Sequence, residues 1–199
     1  DSFRRIGKIG NAKILPILPS GKTTFYRNKL EYTFSNKRWL LESEKGITPS
    51  GEDMNALGFH IPLLFDKVLD IKKCYLQADP ANAIRLEIKK YALARSLSFY
   101  DVRLWQGFLR NLLIRTSGSG DLMVIMVFRT DERAEIEMLM DHLTLKFPQI
   151  TSLYYVINPK KNDVISDLPF HLYQGNPFII ETMNAYGTGR GISFRIGPA

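Results

Sequence analysis

Few residues in this 199-residue sequence have the types and spacing that chemistry needs, and they are scattered. His60, His142 and His171 lie far apart and share no metal-binding interval, so each reads as structural. Gly187-Thr188-Gly189-Arg190-Gly191 invites comparison with phosphate-cradling loops, but it has neither the GxGxxG nor the Walker pattern and runs into an expected strand, not a helix. It reads as a hairpin turn. The carboxylate pairs Asp66 with Asp70 and Glu132 with Glu135 have spacings that would share a helix face, yet no partner for acid–base work can be placed beside either, which leaves surface charge as their reading. Cys74, in Asp70-Ile71-Lys72-Lys73-Cys74-Tyr75-Leu76-Gln77, stands among lysines that favour a thiolate, although an inert packed thiol is the more frequent outcome for a lone cysteine. One cysteine makes no intramolecular disulfide, and it cannot by itself hold zinc or an iron–sulfur cluster, which take four ligands.

Charge is more informative than any single side chain. The net charge is +7, and residues 1–46 carry ten Lys/Arg against four Asp/Glu, so the excess sits at the N-terminal end. A concentrated positive surface favours polyanions such as RNA, because neutralised phosphates release counterions. On charge alone, a solvated basic surface with no partner is an equally good reading. No apolar run approaches the roughly 20 residues that cross a bilayer, and no expected helix in the basic region pairs a charged face with an apolar one. The opening Asp1-Ser2-Phe3-Arg4-Arg5 lacks a signal-peptide pattern. These features predict a soluble, cytoplasmic protein with no membrane role.

The elements that would position such residues follow from periodicity. Residues 1–25 read as the tail of a preceding element followed by an extended connector forced by Pro16 and Pro19. From Tyr26 the chain alternates, with Tyr26, Asn28, Leu30, Tyr32 and Phe34 on one face and Arg27, Lys29, Glu31 and Thr33 on the other, the period of a half-buried strand. Arg38 to Leu41 and Leu57 to Ile61 are expected to pair with it across the polar loop Glu42 to Asn55. A helix is predicted over Asp79 to Arg95, capped by Asp79 with Pro80 first, burying Ile84, Ile88, Tyr91 and Ala92 and turning Arg85 mostly elsewhere. Phe108 to Thr116 and Leu122 to Phe128 flank a glycine-bearing turn as a hairpin whose second strand, apolar on both faces, should be central. A second helix spans about Asp131 to Phe147, with Ile136, Leu139, Met140, Leu143 and Phe147 inward. Strands follow near Ser152 to Asn158, Pro169 to Tyr173, Phe178 to Met183 and Ile192 to Ile196. The class is α+β, a mainly antiparallel sheet with covering helices over residues 26–199.

Several stretches in order carry a family resemblance: Phe3-Arg4-Arg5-Ile6-Gly7, Tyr26-Arg27-Asn28-Lys29-Leu30-Glu31, Leu57-Gly58-Phe59-His60, Asp66 through Cys74, Leu109 through Arg115, and Phe194-Arg195-Ile196-Gly197-Pro198. Together they resemble the central domain of S-adenosylmethionine-dependent RNA uracil-5 methyltransferases, above all the type that modifies large-subunit ribosomal RNA. The resemblance implies a parent enzyme with an N-terminal β-barrel and a C-terminal Rossmann-like methyltransferase domain, both contacting this segment. In such an enzyme a cysteine thiolate adds to C6 of uracil, C5 takes the methyl group, and a base removes the C5 proton. Those groups and the S-adenosylmethionine loop are expected after this segment, which alone should be inactive. Many members hold a 4Fe-4S cluster on three cysteines before the position of Phe3 and one matching Cys74, so the resemblance makes Cys74 a fourth ligand in the parent.

What the resemblance leaves to this segment is substrate RNA. Arg27 and Lys29 are the foremost expected contacts, followed by Arg4, Arg5 and Arg38; Tyr26 and Trp39 either stack on bases or, more often for such residues, pack in the core. A free-standing RNA- or protein-binding module without catalytic activity is the competing reading.

Overall fold

Seven consecutive apolar residues can be accommodated in a strand only if both of its faces are covered, and Leu122–Phe128 is buried throughout. The computed structural model describes residues 2–10, 13–44, 46–184 and 191–199. In chain order its elements are α1 (Ser2–Arg5), β1 (Lys29–Ser35), β2 (Ala56–Ile61), β3 (Leu64–Asp70), α2 (Ala81–Ala94), β4 (Leu109–Thr116), β5 (Leu122–Phe128), α3 (Arg133–Lys146), β6 (Ser152–Ile157), β7 (His171–Gly175), β8 (Ile179–Asn184) and β9 (Gly191–Ile196). Seven strands form one sheet in the order β3-β2-β1-β4-β5-β6-β7, and β8 and β9 form a separate hairpin. Every neighbouring pair is antiparallel except β5 and β6, which α3 connects as a crossover. The fold is α+β, as the strand and helix periods predict.

Alternate residues of β5 feed two cores. Leu122, Val124, Met126 and Phe128 pack with Ile84, Ile88 and Ala92 of α2 and with Ile136, Leu139, Met140 and Leu143 of α3. Met123, Ile125 and Val127 face the other way, against Tyr154, Val156 and Ile179, with Ile165, Leu168 and Phe170 closing over them.

Four local expectations are corrected. The strand expected from Tyr26 begins at Lys29; ahead of it, the Phe25 N–H donates to the Tyr75 carbonyl at 2.7 Å and the Arg27 N–H to the Leu76 carbonyl at 2.8 Å. Arg38 to Leu41 does not pair with β1, because β2 and β4 already occupy its two edges; Arg38 makes one isolated bridge to Val68 of β3 instead. The cap of α2 is Pro80, without a side-chain hydrogen bond, so Asp79 does not cap it. Asp66 and Asp70 lie on β3 and share no helix face. The polar stretch after Leu41 does run as a connection, carrying two short 3-10 turns, Glu42–Glu44 and Gly51–Met54.

Candidate nucleic-acid interface

At the start of β1 the chain is tied to the segment that leads into α2. The two backbone bonds from Phe25 and Arg27 to Tyr75 and Leu76 lay these segments side by side, and the Phe25 and Tyr75 rings meet with centroids 6.1 Å apart. Lys73 Nζ stands 5.1 Å from the centroid of Tyr75. Most of this cluster faces solvent: Tyr26 is 54%, Tyr75 56% and Phe25 40% exposed, and Arg27, Lys29 and Lys73 are exposed beside them. Trp39, at 37%, is also outside the core. The expectation that Tyr26 and Trp39 pack inward is therefore corrected. Exposed aromatic faces interleaved with cations can stack on bases while pairing with phosphates.

The residues that hold this cluster were not evident in the sequence. Arg85, expected away from the core, is fully buried. Its guanidinium donates to the carbonyls of Ile71 at 2.5 Å, Leu57 at 3.3 Å and Lys72 at 3.3 Å. Asn82, one turn earlier on α2, clamps the Cys74 backbone, accepting from its N–H at 2.8 Å and donating to its carbonyl at 3.0 Å. The carbonyls at Ile71, Lys72 and Cys74 follow the end of β3, where a strand ladder no longer serves them, and α2 supplies the donors. A helix pattern shows which stripe is apolar but not which polar residue has a buried acceptor waiting. Gln77 completes the support by donating to the carbonyls of Asn28 at 3.3 Å and Ile114 at 3.1 Å.

The other expected residues separate. Arg4 and Arg5 lie on the exposed α1, across the extended connector from Arg27. Arg38 is committed to the loop beside it: Nη1 and Nη2 donate to the Glu44 carboxylate at 3.0 and 2.8 Å, and Nε donates to the Asp53 carbonyl at 2.9 Å. The Arg38 hydrogen bond is the main cause that lowers the pKa of Glu44. Cys74 is a buried thiol within the helix-side core. Next to it, burial raises the pKa of the Tyr32 hydroxyl.

No group of three or more His, Cys, Asp or Glu able to hold a metal occurs among the described residues. With one cysteine, packed in the core, the donor set of this chain does not fit a 4Fe-4S cluster by itself. The histidines have structural surroundings: His142 Nε2 lies 2.9 Å from Glu87, His171 stacks on Tyr155 at 4.8 Å, and His60 is paired in β2 with Val68. Asp66 accepts from Arg103 at 2.6 Å, Asp70 from Lys89 at 2.6 Å, and Glu135 from Arg95 at 3.3 Å. Glu132 accepts from Thr130 at 2.8 Å. These bonds give each of the four carboxylates a local partner, Asp66 being buried beside its own. The glycine stretch ahead of Gly191 lies outside the described residues. No helix among the described residues is long and apolar enough to cross a membrane.

What the geometry defines is an α+β sheet with an exposed aromatic and basic surface at the entry to β1. No family model matches the chain. Among curated proteins, it is 49% identical over 201 residues to an uncharacterized RNA methyltransferase of Bacteroides thetaiotaomicron, covering 100% of this chain and 43% of that protein. A protein of the same description from Porphyromonas gingivalis is 46% identical, with 99% and 42% covered, and one from Chlorobaculum tepidum is 32% identical, with 92% and 38% covered. The chain thus resembles one segment of RNA methyltransferases and spans about two fifths of their length. Among solved structures, the Pyrococcus abyssi tRNA (uracil-54, C5)-methyltransferase in complex with S-adenosyl-L-homocysteine shares the fold, with a TM-score of 0.62 at 19% identity over 92% of this chain and 37% of that one.

Proposed function

We propose that this chain is the substrate-RNA-binding and scaffolding segment of an enzyme that methylates C5 of uridine in ribosomal RNA with S-adenosylmethionine. The observation that carries the reading is the exposed cluster of Tyr26, Arg27, Lys73 and Tyr75, in a chain similar along its length to RNA methyltransferases. A base presented for chemistry at C5 has to leave its stack. Aromatic faces and cations held on a rigid base are suited to keeping the flanking nucleotides splayed while that happens. In this reading Arg27, Lys29 and Lys73 pair with phosphates, Tyr26 and Tyr75 stack, and Arg85 and Asn82 position the loop that carries Lys73 and Tyr75. The methyl donor and the attacking thiolate belong to the part of the relatives that this chain does not span, and this segment docks against it. Arg4 and Arg5 extend the basic surface, whereas Arg38, held by Glu44, contributes less.

Mapping 5-methyluridine by mass spectrometry in ribosomal and transfer RNA, from cells with and without the gene that encodes this chain, tests the reading. Loss of one modified uridine in large-subunit ribosomal RNA is expected. Loss confined to transfer RNA would sink the substrate assignment, and no loss anywhere would sink the reaction.

A further inference from the structure

The register of β1 on β4 sets two cations opposite each other, Lys29 against Arg115. Like charges facing across antiparallel strands destabilise a sheet, and opposite charges are the favoured arrangement. Lys29 acts electrostatically on Glu31, two positions on, but makes no salt bridge among the described residues, and the bond of Arg115 goes to a carbonyl. Arg115 is half-buried; its Nη1 donates to the Gly197 carbonyl at 2.7 Å, and its buried Nε has no partner. Burial lowers the pKa of this guanidinium, with no carboxylate to offset it. Beside the pair lies a cavity of about 220 Å³ lined by Asn28, Lys29, Arg115, Thr116, Ile179 and Ile196.

We propose that this cavity is an anion site that takes a backbone phosphate of the bound RNA, gripped by Lys29 and Arg115. The inference rests on the reading of this chain as an RNA-handling segment and adds Arg115, with Asn28 and Thr116, to its contacts. A phosphate between the two cations turns their repulsion into a bridge, and the apolar side chains of Ile179 and Ile196 in the same lining lower the local dielectric around it. Asn28 follows Arg27 directly, so the cavity continues the exposed cluster along the chain. It also explains why an arginine is partly buried here without an acid: the compensating charge comes with the ligand.

The test compares the wild-type chain with Arg115→Gln, Lys29→Gln and Arg27→Ala in binding a uridine-bearing single-stranded RNA across a salt series. Inorganic phosphate is titrated separately while the amide resonances of Asn28 and Thr116 are followed. Arg115→Gln and Lys29→Gln should each weaken RNA binding roughly tenfold, about one charge-assisted contact, and reduce the slope of log K on log salt by roughly 0.7. Without RNA, Lys29→Gln should melt no lower than wild type at low salt, because the cross-strand repulsion is relieved, whereas Arg115→Gln also loses the hydrogen bond to the Gly197 carbonyl. Phosphate should move the two amides in the wild type and not in Arg115→Gln. Wild-type RNA affinity and slope in both cavity variants, alongside weakened binding by Arg27→Ala, would overturn the cavity and leave the wider interface standing. Phosphate shifts without any effect on RNA would make it a site for free phosphate only, and overturn the RNA contact. Absence of RNA binding by the wild type would overturn both.

Discussion

Arg85 shows how a single residue links the fold to the surface proposed to hold RNA. A guanidinium with no accessible surface donates to the main-chain carbonyls of Leu57, Ile71 and Lys72 and so ties β2 and the segment after β3 to α2. Replacing it by leucine strands those carbonyls, and chemical denaturation should show a loss of roughly 2–4 kcal/mol. Asn82→Ala, which frees the Cys74 backbone, should cost about 1–3 kcal/mol by the same measurement. A second residue sets a pH dependence. Burial of Asp101 alone would raise its pKa, but hydrogen bonds from Lys37, the Leu104 N–H, Asn36 and the Arg103 N–H outweigh it, and the net shift is downward. A carboxyl whose folded pKa is depressed contributes stability that is present above its unfolded pKa, about 3.9, and is lost as pH falls through the folded value. Stability should therefore fall on acidification below about pH 4, and Asp101→Asn should lower stability at pH 7 while flattening that acid limb. An acid limb unchanged in the variant would show that other carboxylates set it. Neither residue announces itself in the sequence: Arg85 is one cation among several on its helix, and the donors to Asp101 come from both sides of the chain, Asn36 and Lys37 lying far from it in sequence.

At the scale of elements, the close pairing of β2 and β3 rests on a missing side chain. A Cβ on Gly58 would lie 1.9 Å from the Leu69 carbonyl oxygen, so Gly58→Ala has to part the two strands. It should destabilise the chain by about 3 kcal/mol or more, read as a lowered denaturation midpoint. Periodicity made much of the architecture legible: β5 apolar on both faces, the inner stripes of α2 and α3, and the alternation from Lys29 to Phe34. It failed where long-range pairing decides. Arg38 to Leu41 has strand-like composition, but both edges of β1 are taken, and Arg38 makes only an isolated bridge on the outer edge of β3. The candidate interface was half legible, since Arg27 and Lys29 stand out by charge. Tyr75 and Lys73 join them only because residues 25–27 hydrogen-bond to residues 75–76, about fifty positions on, which no local pattern announces.

For the whole molecule, a rigid seven-stranded sheet carries the aromatic and basic cluster at the entry to β1, and similarity to RNA methyltransferases runs the length of the chain. In the proposed function this cluster holds RNA. That is tested most directly by the affinity of the chain for a uridine-bearing ribosomal RNA stem-loop across a salt series, wild type against an Arg27→Ala, Tyr75→Ala double variant of matched stability. An affinity loss on the order of tenfold to several hundredfold is expected, since base–aromatic stacking contributes about 1–3 kcal/mol, together with a shallower salt slope from the lost phosphate contact. Equal affinity and equal slope in the two proteins would contradict it.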